Sequence, residues 1–201
     1  MSITNVIPVQ HQFSSYNEAQ EYYLENGLSD GLPVVPPTVE KVQTMLDYVG
    51  MRGDDIVATE SIRRKRFTAQ KVATNAVMAG CKPEYFPVVV AAIVAASERA
   101  FNLHASSTST NGITLMALVS GPYAEQIGMN WGVELMGNGT RANATIGRAI
   151  NLVKTNYYGS VAQEMDNSTL GHPGKFSFCF AENIAASPWP SLASSKGFGD
   201  G

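Results

Sequence analysis

Eleven consecutive residues, Phe86 to Ala96, carry no polar side chain. They read Phe-Pro-Val-Val-Val-Ala-Ala-Ile-Val-Ala-Ala, and Pro83 just ahead suits the first turn of a helix running from Glu84 to about Ala100. A helix that is apolar all round has to be covered all round. The run therefore belongs at the centre of the fold or in a subunit interface. It is well short of the ~18–20 residues that span a bilayer, so no membrane association is expected. A chain of 201 residues, 44% of them apolar, can bury such a core as one domain.

The rest of the chain supplies helices and short strands around that run. Ser15-Tyr-Asn-Glu18 is a capping-box pattern, which predicts a helix over Tyr16–Asn26 stopped by Gly27. Gly27 to Pro37 holds two Gly and three Pro in its Gly-Leu-Ser-Asp-Gly-Leu-Pro-Val-Val-Pro-Pro run and reads as a turn followed by an extended segment. Thr38 is placed to cap a helix over Val39–Val49, and Thr68 one over Ala69–Ala79. Strands are expected at Asp55–Thr59, Ile113–Ser120, Val133–Met136 and Lys175–Ala181. In the last of these, if alternation turns Phe176, Phe178 and Phe180 to the core, Ser177, Cys179 and Ala181 share the other face. A short helix at Tyr123–Ile127 and a longer one at Arg141–Tyr157 complete the reading. The fold class is mixed α/β, several helices packed around a short mixed sheet. The single domain covers 14–186, after an N-terminal arm (1–13) and before an irregular C-terminal tail (187–201).

Charge excludes some functions. Fourteen basic against 17 acidic residues, net −3, is the wrong balance for a protein held to nucleic acid by phosphate neutralisation. The charges are also uneven: residues 1–100 hold 20 of them and residues 101–201 only 11. So neutral a second half is expected to lie against other subunits or to line a site. The one run of charge, Arg63-Arg64-Lys65-Arg66, reads as a solvated loop or exposed edge strand. The first residues lack the basic start of an export signal, and two cysteines 98 positions apart make no disulfide framework. Reduced thiols in a cytoplasm are the expectation.

Cys81 stands between two predicted helices, beside Lys82. A thiol near a helix start and a cation has a lowered pKa and can act as nucleophile or ligand. His104 ends the apolar helix and opens the Ser/Thr-rich stretch Ala105–Gly112. His172 sits between glycines in Leu170-Gly-His-Pro-Gly174. Both are candidates for proton transfer. Gly137-Asn-Gly-Thr-Arg141 opens a helix, and a helix start with free N–H groups next to a guanidinium is suited to an anion. Asn138, Gly139, Thr140, Arg141, Asn143 and Arg148 are therefore the candidate substrate-binding residues. No His or Cys pair has zinc-type spacing. A metal site would have to be assembled from His104, His172, Cys179 and Glu182.

Several longer phrases carry a resemblance. They are Asp30-Gly-Leu-Pro-Val-Val-Pro-Pro-Thr38, Asn75-Ala-Val-Met-Ala-Gly-Cys-Lys-Pro-Glu-Tyr-Phe-Pro87, Phe101-Asn-Leu-His104, Gly139-Thr-Arg-Ala-Asn-Ala-Thr-Ile-Gly-Arg-Ala149 and Leu170-Gly-His-Pro-Gly-Lys-Phe-Ser-Phe-Cys-Phe-Ala-Glu-Asn183, with Ser187-Pro-Trp189 after them. Together they resemble a poorly characterised bacterial family associated with UGSC-motif (seleno)cysteine proteins, which are themselves likened to glycine, sarcosine and betaine reductase components. The resemblance implies that members continue past Ser-Pro-Trp, so that a separate subunit supplies what this chain lacks. No UGSC motif occurs here.

Residues and resemblance lead to one expectation: an enzyme subunit acting on a small polar, anionic substrate. The chemistry is thiol-dependent reduction or carbon–heteroatom bond cleavage, with Cys81, His104 and His172 as the catalytic groups. Two alternatives stand beside it. One is a metal-dependent lyase or hydratase, with a divalent metal as the cofactor. The other is a non-catalytic subunit that completes a partner's active site. A second subunit and oligomerisation are expected in either case.

Overall fold

The computed structural model describes residues 11–198. The expected arm lies outside the described residues except for His11–Phe13, as do the last three residues of the expected tail. Helix α1 (Tyr16–Glu25) begins as its capping pattern predicts, with the Ser15 hydroxyl accepting the Glu18 N–H. The return bond is displaced by one residue: Glu18 accepts from the N–H and hydroxyl of Ser14. Helix α2 (Val39–Val49) is capped by Thr38 and ends at Gly50, whose φ of 65° is the left-handed turn that glycine adopts without strain.

The Gly/Pro segment between these helices has no ladder of its own, so side chains from elsewhere hold it. The Gln20 amide donates to Val34 O and accepts Val34 N–H, at 2.6 and 2.7 Å. Arg148 takes the Asp30 carboxylate in a two-point grip at 2.7 and 2.8 Å and also donates to Leu32 O and Pro33 O. Buried Val34 is thereby fixed against the core.

Strands β1 (Ile56–Glu60) and β2 (Lys65–Thr68) form an antiparallel hairpin. Part of the expected solvated charge run turns inward, since Arg63 donates to Tyr158 O at 2.7 Å and lies 5.1 Å from the centre of the Tyr158 ring. Helix α3 (Ala69–Ala79) covers the expected residues, although the Thr68 side chain makes no cap bond. After a 3-10 turn at Pro83–Tyr85 comes α4 (Phe86–Ser97), shorter than expected at both ends. Then follow α5 (Leu103–Ser107), β3 (Ala117–Val119), α6 (Pro122–Gln126), α7 (Arg141–Val153), β4 (Cys179–Ala181) and α8 (Leu192–Ser195).

The fold is mixed α/β, with eight helices among the described residues and its strands divided between two small sheets. β3 and β4 are parallel, Ala117 opposite Cys179. The connection that parallel pairing demands is made by α6 and α7. Val133–Met136, expected as a strand, is a series of turns, with Glu134 at φ 60°. The strands expected at Ile113–Ser120 and Lys175–Ala181 shrink to three residues each.

Two corrections concern the core. Its centre is the pair α3 and α7, packed on each other, with Val72, Ala73 and Ala76 of one helix and Ile146, Ala149, Ile150 and Val153 of the other all buried in the core. The apolar helix α4 is covered on one side only. Phe86, Val89 and Ile93 are buried, while Ala91, Val94 and Ala95 face outward. The faces of β4 are also the reverse of the expectation: Cys179 and Ala181 are buried and Phe176 is half exposed. Gly147 explains this. A Cβ there would run into Ser177, Phe178 N and Cys179 Cβ, so the strand lies directly on α7 and only small side chains fit between. The expected irregular tail contains α8, a single turn whose Ser191 side chain accepts the Ser194 N–H.

Candidate functional site

Cys81 and Arg141 come together. The chain leaves α3 through Gly80, at φ 90°, and the Cys81 thiol donates to Thr145 O on α7 at 3.3 Å. Arg141 donates through Nε and Nη2 to Gly80 O, at 3.1 and 2.9 Å. The guanidinium thus neutralises the negative end of α3 and ties the start of α7 to it. The thiol itself is sealed, at 6% exposure. Burial pushes it up to about 12, against the smaller opposing pulls of Thr145 and Arg141. Cys179, across Gly147, is pushed up to about 12 by burial and by the neighbouring Cys81 thiol. A nucleophilic cysteine works as the thiolate. At neutral pH these two are protonated thiols packed into a helix–strand seam.

The other expected anion-binding residues are placed as follows. Asn138 and Gly139 lie in an exposed turn, with Thr140 half-buried behind them. The buried Asn143 amide accepts Asn130 N–H and donates to Asn130 O and Leu135 O, which fixes the preceding loop. Arg148 is held by Asp30 as described. Among the proton-transfer and metal candidates, exposed His172 accepts the Gly174 N–H through Nδ1 and stacks at 6.1 Å on Phe178. The Glu182 carboxylate accepts the Leu192 N–H at the start of α8. His104 lies on α5 with a buried Nδ1 that has no hydrogen-bond partner. Cys179 is in the seam. Among the described residues no three His, Cys, Asp or Glu side chains are close enough to share a metal ion.

The polar centre that the structure does assemble involves none of these. Helix α7 continues at Lys154 into a π turn, Lys154–Tyr158, a widened form common at functional sites. Its first and last side chains, Lys154 and Tyr158, are buried. Lys154 Nζ lies 3.7 Å from Asp166 Oδ2, and Lys175 Nζ donates to that same oxygen and to the Ser168 hydroxyl. The Ser168 hydroxyl lies 2.6 Å from both Asp166 Oδ1 and Asn111 O and donates its single proton between them. Burial works to raise Asp166, but Lys175, Ser168 and Lys154 outweigh it and hold the carboxyl below its usual value. Lys154 is moved down, by burial first, with Lys175 acting the same way and Asp166 opposing. The centre lies beneath two joined loops. Thr169 donates its N–H to Thr110 O at 2.9 Å, and a Cβ on Gly112 would strike Gly171 O, so the two strands of loop touch directly. Nearby, Asn151 Oδ1 and Thr114 Oγ1 are buried acceptors with no protein partner.

The sequence did carry a sign of this centre. Lys154 continues the Ile146–Ile150 stripe at a spacing of four, so the helix itself places a cation on its apolar face.

Comparisons with protein-family models, with curated proteins and with solved structures found no match for this chain.

Proposed function

We propose that the chain is an enzyme subunit that acts on a small anionic substrate, and that the anion is held at Lys154, Lys175 and Ser168. The observation that carries this reading is the charge count in the centre: two ammonium groups, one of them 7% exposed, share a single carboxylate. A buried positive charge in excess of its partner is costly unless an anion joins it. The division of labour follows from the same geometry. Asp166 stays ionised and orients both amines. Lys154, whose charged form burial disfavours, is the group able to pass a proton to or from a bound substrate. The buried, unpartnered Asn151 and Thr114 oxygens support a polar ligand in this region, since each lacks a hydrogen bond that a donor would supply. In this reading Cys81 and Arg141 join helices, and a site for the anion at Arg141 gives way to one at Lys175.

Calorimetry with acetate, glyoxylate and inorganic phosphate tests it. Saturable binding by the wild type, weakened about tenfold in Lys175→Met as befits the loss of one charge-assisted hydrogen bond, supports the assignment. Equal binding by the two proteins refutes it. Metal analysis of the purified protein tests the metal-dependent lyase alternative: a stoichiometric divalent ion favours it, and a metal-free active protein counts against it.

A second reading, a subunit that completes a partner's active site, is favoured by a different observation. The uncovered side of α4 and the residues around β3 enclose a groove of about 460 Å³ with no charged residue in its lining. Phe101, Met116 and Leu118 stand exposed along it. Light scattering on the purified 21.5 kDa chain tests this reading. A monomer that forms a stable complex only with a second protein favours it, and an active homo-oligomer counts against it.

A further inference from the structure

A separate cavity of about 680 Å³ opens between α1, the start of α2, α3 and the middle of the π turn. Its volume lies in the range typical of small-molecule sites, roughly 300–1,000 Å³. The lining combines two features. The first is aromatic. Phe13 and Tyr22 have ring centres 5.2 Å apart, Tyr22 and Tyr23 are 5.9 Å apart edge to face, and Tyr157 lines the same space. The second is a small set of polar groups with capacity to spare. The Asn156 Nδ2 donates to Leu28 O and to Oδ1 of buried Asn75, both at 2.8 Å, while Asn156 Oδ1 is buried with no partner. Lys71 reaches over the Tyr157 ring, its Nζ 4.0 Å from the ring centre.

The electrostatics select the ligand. Among the described residues no carboxylate lines the cavity and none pairs with Lys71. Its charge is met only by the face of a ring, so an anionic group brought in by a ligand has no competitor. The aromatic side favours a flat π system, which stacks at little entropic cost. An unsatisfied buried acceptor is relieved by a ligand N–H. We propose that this cavity binds a planar heteroaromatic ring bearing an anionic group, with the ring against the Phe13–Tyr22–Tyr23 face, a ring N–H or amino group directed at the Asn75–Asn156 amides, and the anion on Lys71. The inference is independent of the lysine–aspartate centre, since it uses none of those side chains.

Two kinds of molecule share this chemistry, mononucleotides and aromatic carboxylates, and titration separates them. The purified protein is titrated calorimetrically with AMP, with nicotinate, with adenosine as a ring lacking the anion, and with inorganic phosphate as an anion lacking the ring. The expected result is saturable binding of AMP or nicotinate, with adenosine and phosphate each weaker by about tenfold or more, as the loss of one charge-assisted contact predicts. Which of the two saturates identifies the source. Lys71 is exposed, so Lys71→Met folds as the wild type does and weakens the anionic ring by about tenfold, with little effect on adenosine. Tyr22→Leu, checked by its melting curve, weakens both. The proposal is overturned if neither AMP nor nicotinate saturates at millimolar concentration, or if both variants bind with wild-type affinity.

Discussion

The two ends of α7 handle charge in opposite ways. At its start, Arg141 is consumed by the Gly80 carbonyl, and about two turns further on Arg148 is consumed by Asp30 and two carbonyls. At its end, Lys154 and Lys175 have one carboxylate between them. The first arrangement spends its cations on chain geometry: α3 docked on α7, and a proline-rich segment strapped down. The second leaves positive charge over. A cation's identity says little about its role until its partners are counted, and by that count the C-terminal end of the helix is where positive charge is left over.

The comparison is broken most severely at Arg148. Arg148→Met leaves Asp30, 15% exposed, without its partner and releases Leu32 O and Pro33 O. Removing one partner of a buried pair costs about 3–5 kcal/mol, and this partial exposure puts the expected loss near the lower end, about 3 kcal/mol by urea denaturation. Binding of a small anion at Lys175 is expected to be unchanged in the fraction that remains folded. A variant as stable as the wild type would show that the strap is ornamental and that Arg148 is free for another role.

Gly147→Ala comes next. The added methyl meets Ser177, the Phe178 backbone and Cys179 Cβ, and because one of these is backbone the neighbours cannot all give way. Overpacking of this kind costs about 1–3 kcal/mol. The same seam predicts a pH effect. Both thiols are raised to about 12 in the fold, above their ordinary value of 9.0, so the folded state binds more protons than the unfolded one between those limits. Stability is therefore intact below pH 9 and falls as pH rises from about 9 towards 12. Cys81→Ala costs about 1 kcal/mol at neutral pH through lost packing, yet it flattens that alkaline decline. A decline of unchanged slope in the variant would mean that Cys81 is already ionisable in the fold, which is what a nucleophilic role requires.

The parts of this organisation that were legible in the sequence are the ones fixed by local chemistry. Ser15 and Thr38 cap where their spacing to the next turn says they should, and Gly50 and Gly80 stop helices by adopting positive φ. Cys81 between two helices and Arg141 at a helix start were legible as separate features, but the seam that joins them was not. Whether a thiol is reactive depends on burial, and the burial of Cys81 comes from the packing of α3 on α7, which no local pattern shows. Strand faces failed for the same reason. Alternation places phenylalanines inward, but the close approach of α7 admits only small side chains. The helix α4 misled in the other direction, since a sequence apolar all round says that the helix is to be covered without saying that this chain does the covering. Lys154 went unremarked because a lysine ordinarily belongs to solvent, although its place on the Ile146–Ile150 stripe put it in the core.

The smallest expected change in stability sharpens the comparison best. Lys154→Met keeps most of the side-chain volume and removes a charge that burial disfavours. Asp166 is left with Lys175 and Ser168, a complete set of partners, so no charge is stranded. The folding free energy should move by less than about 1 kcal/mol in either direction, in contrast to the loss at Arg148. The sign with pH follows from the lowered Lys154 value. In the wild type the unfolded chain holds the Lys154 proton more tightly than the fold does, so this residue makes stability rise with pH as the folded group deprotonates ahead of the unfolded one. That contribution disappears in Lys154→Met. If Lys154 is the excess charge of the centre, the same variant loses small-anion binding by about tenfold or more while melting like the wild type. Should it instead unfold as readily as Arg148→Met, Lys154 would be a strut like Arg148, and the two ends of the helix would be alike after all.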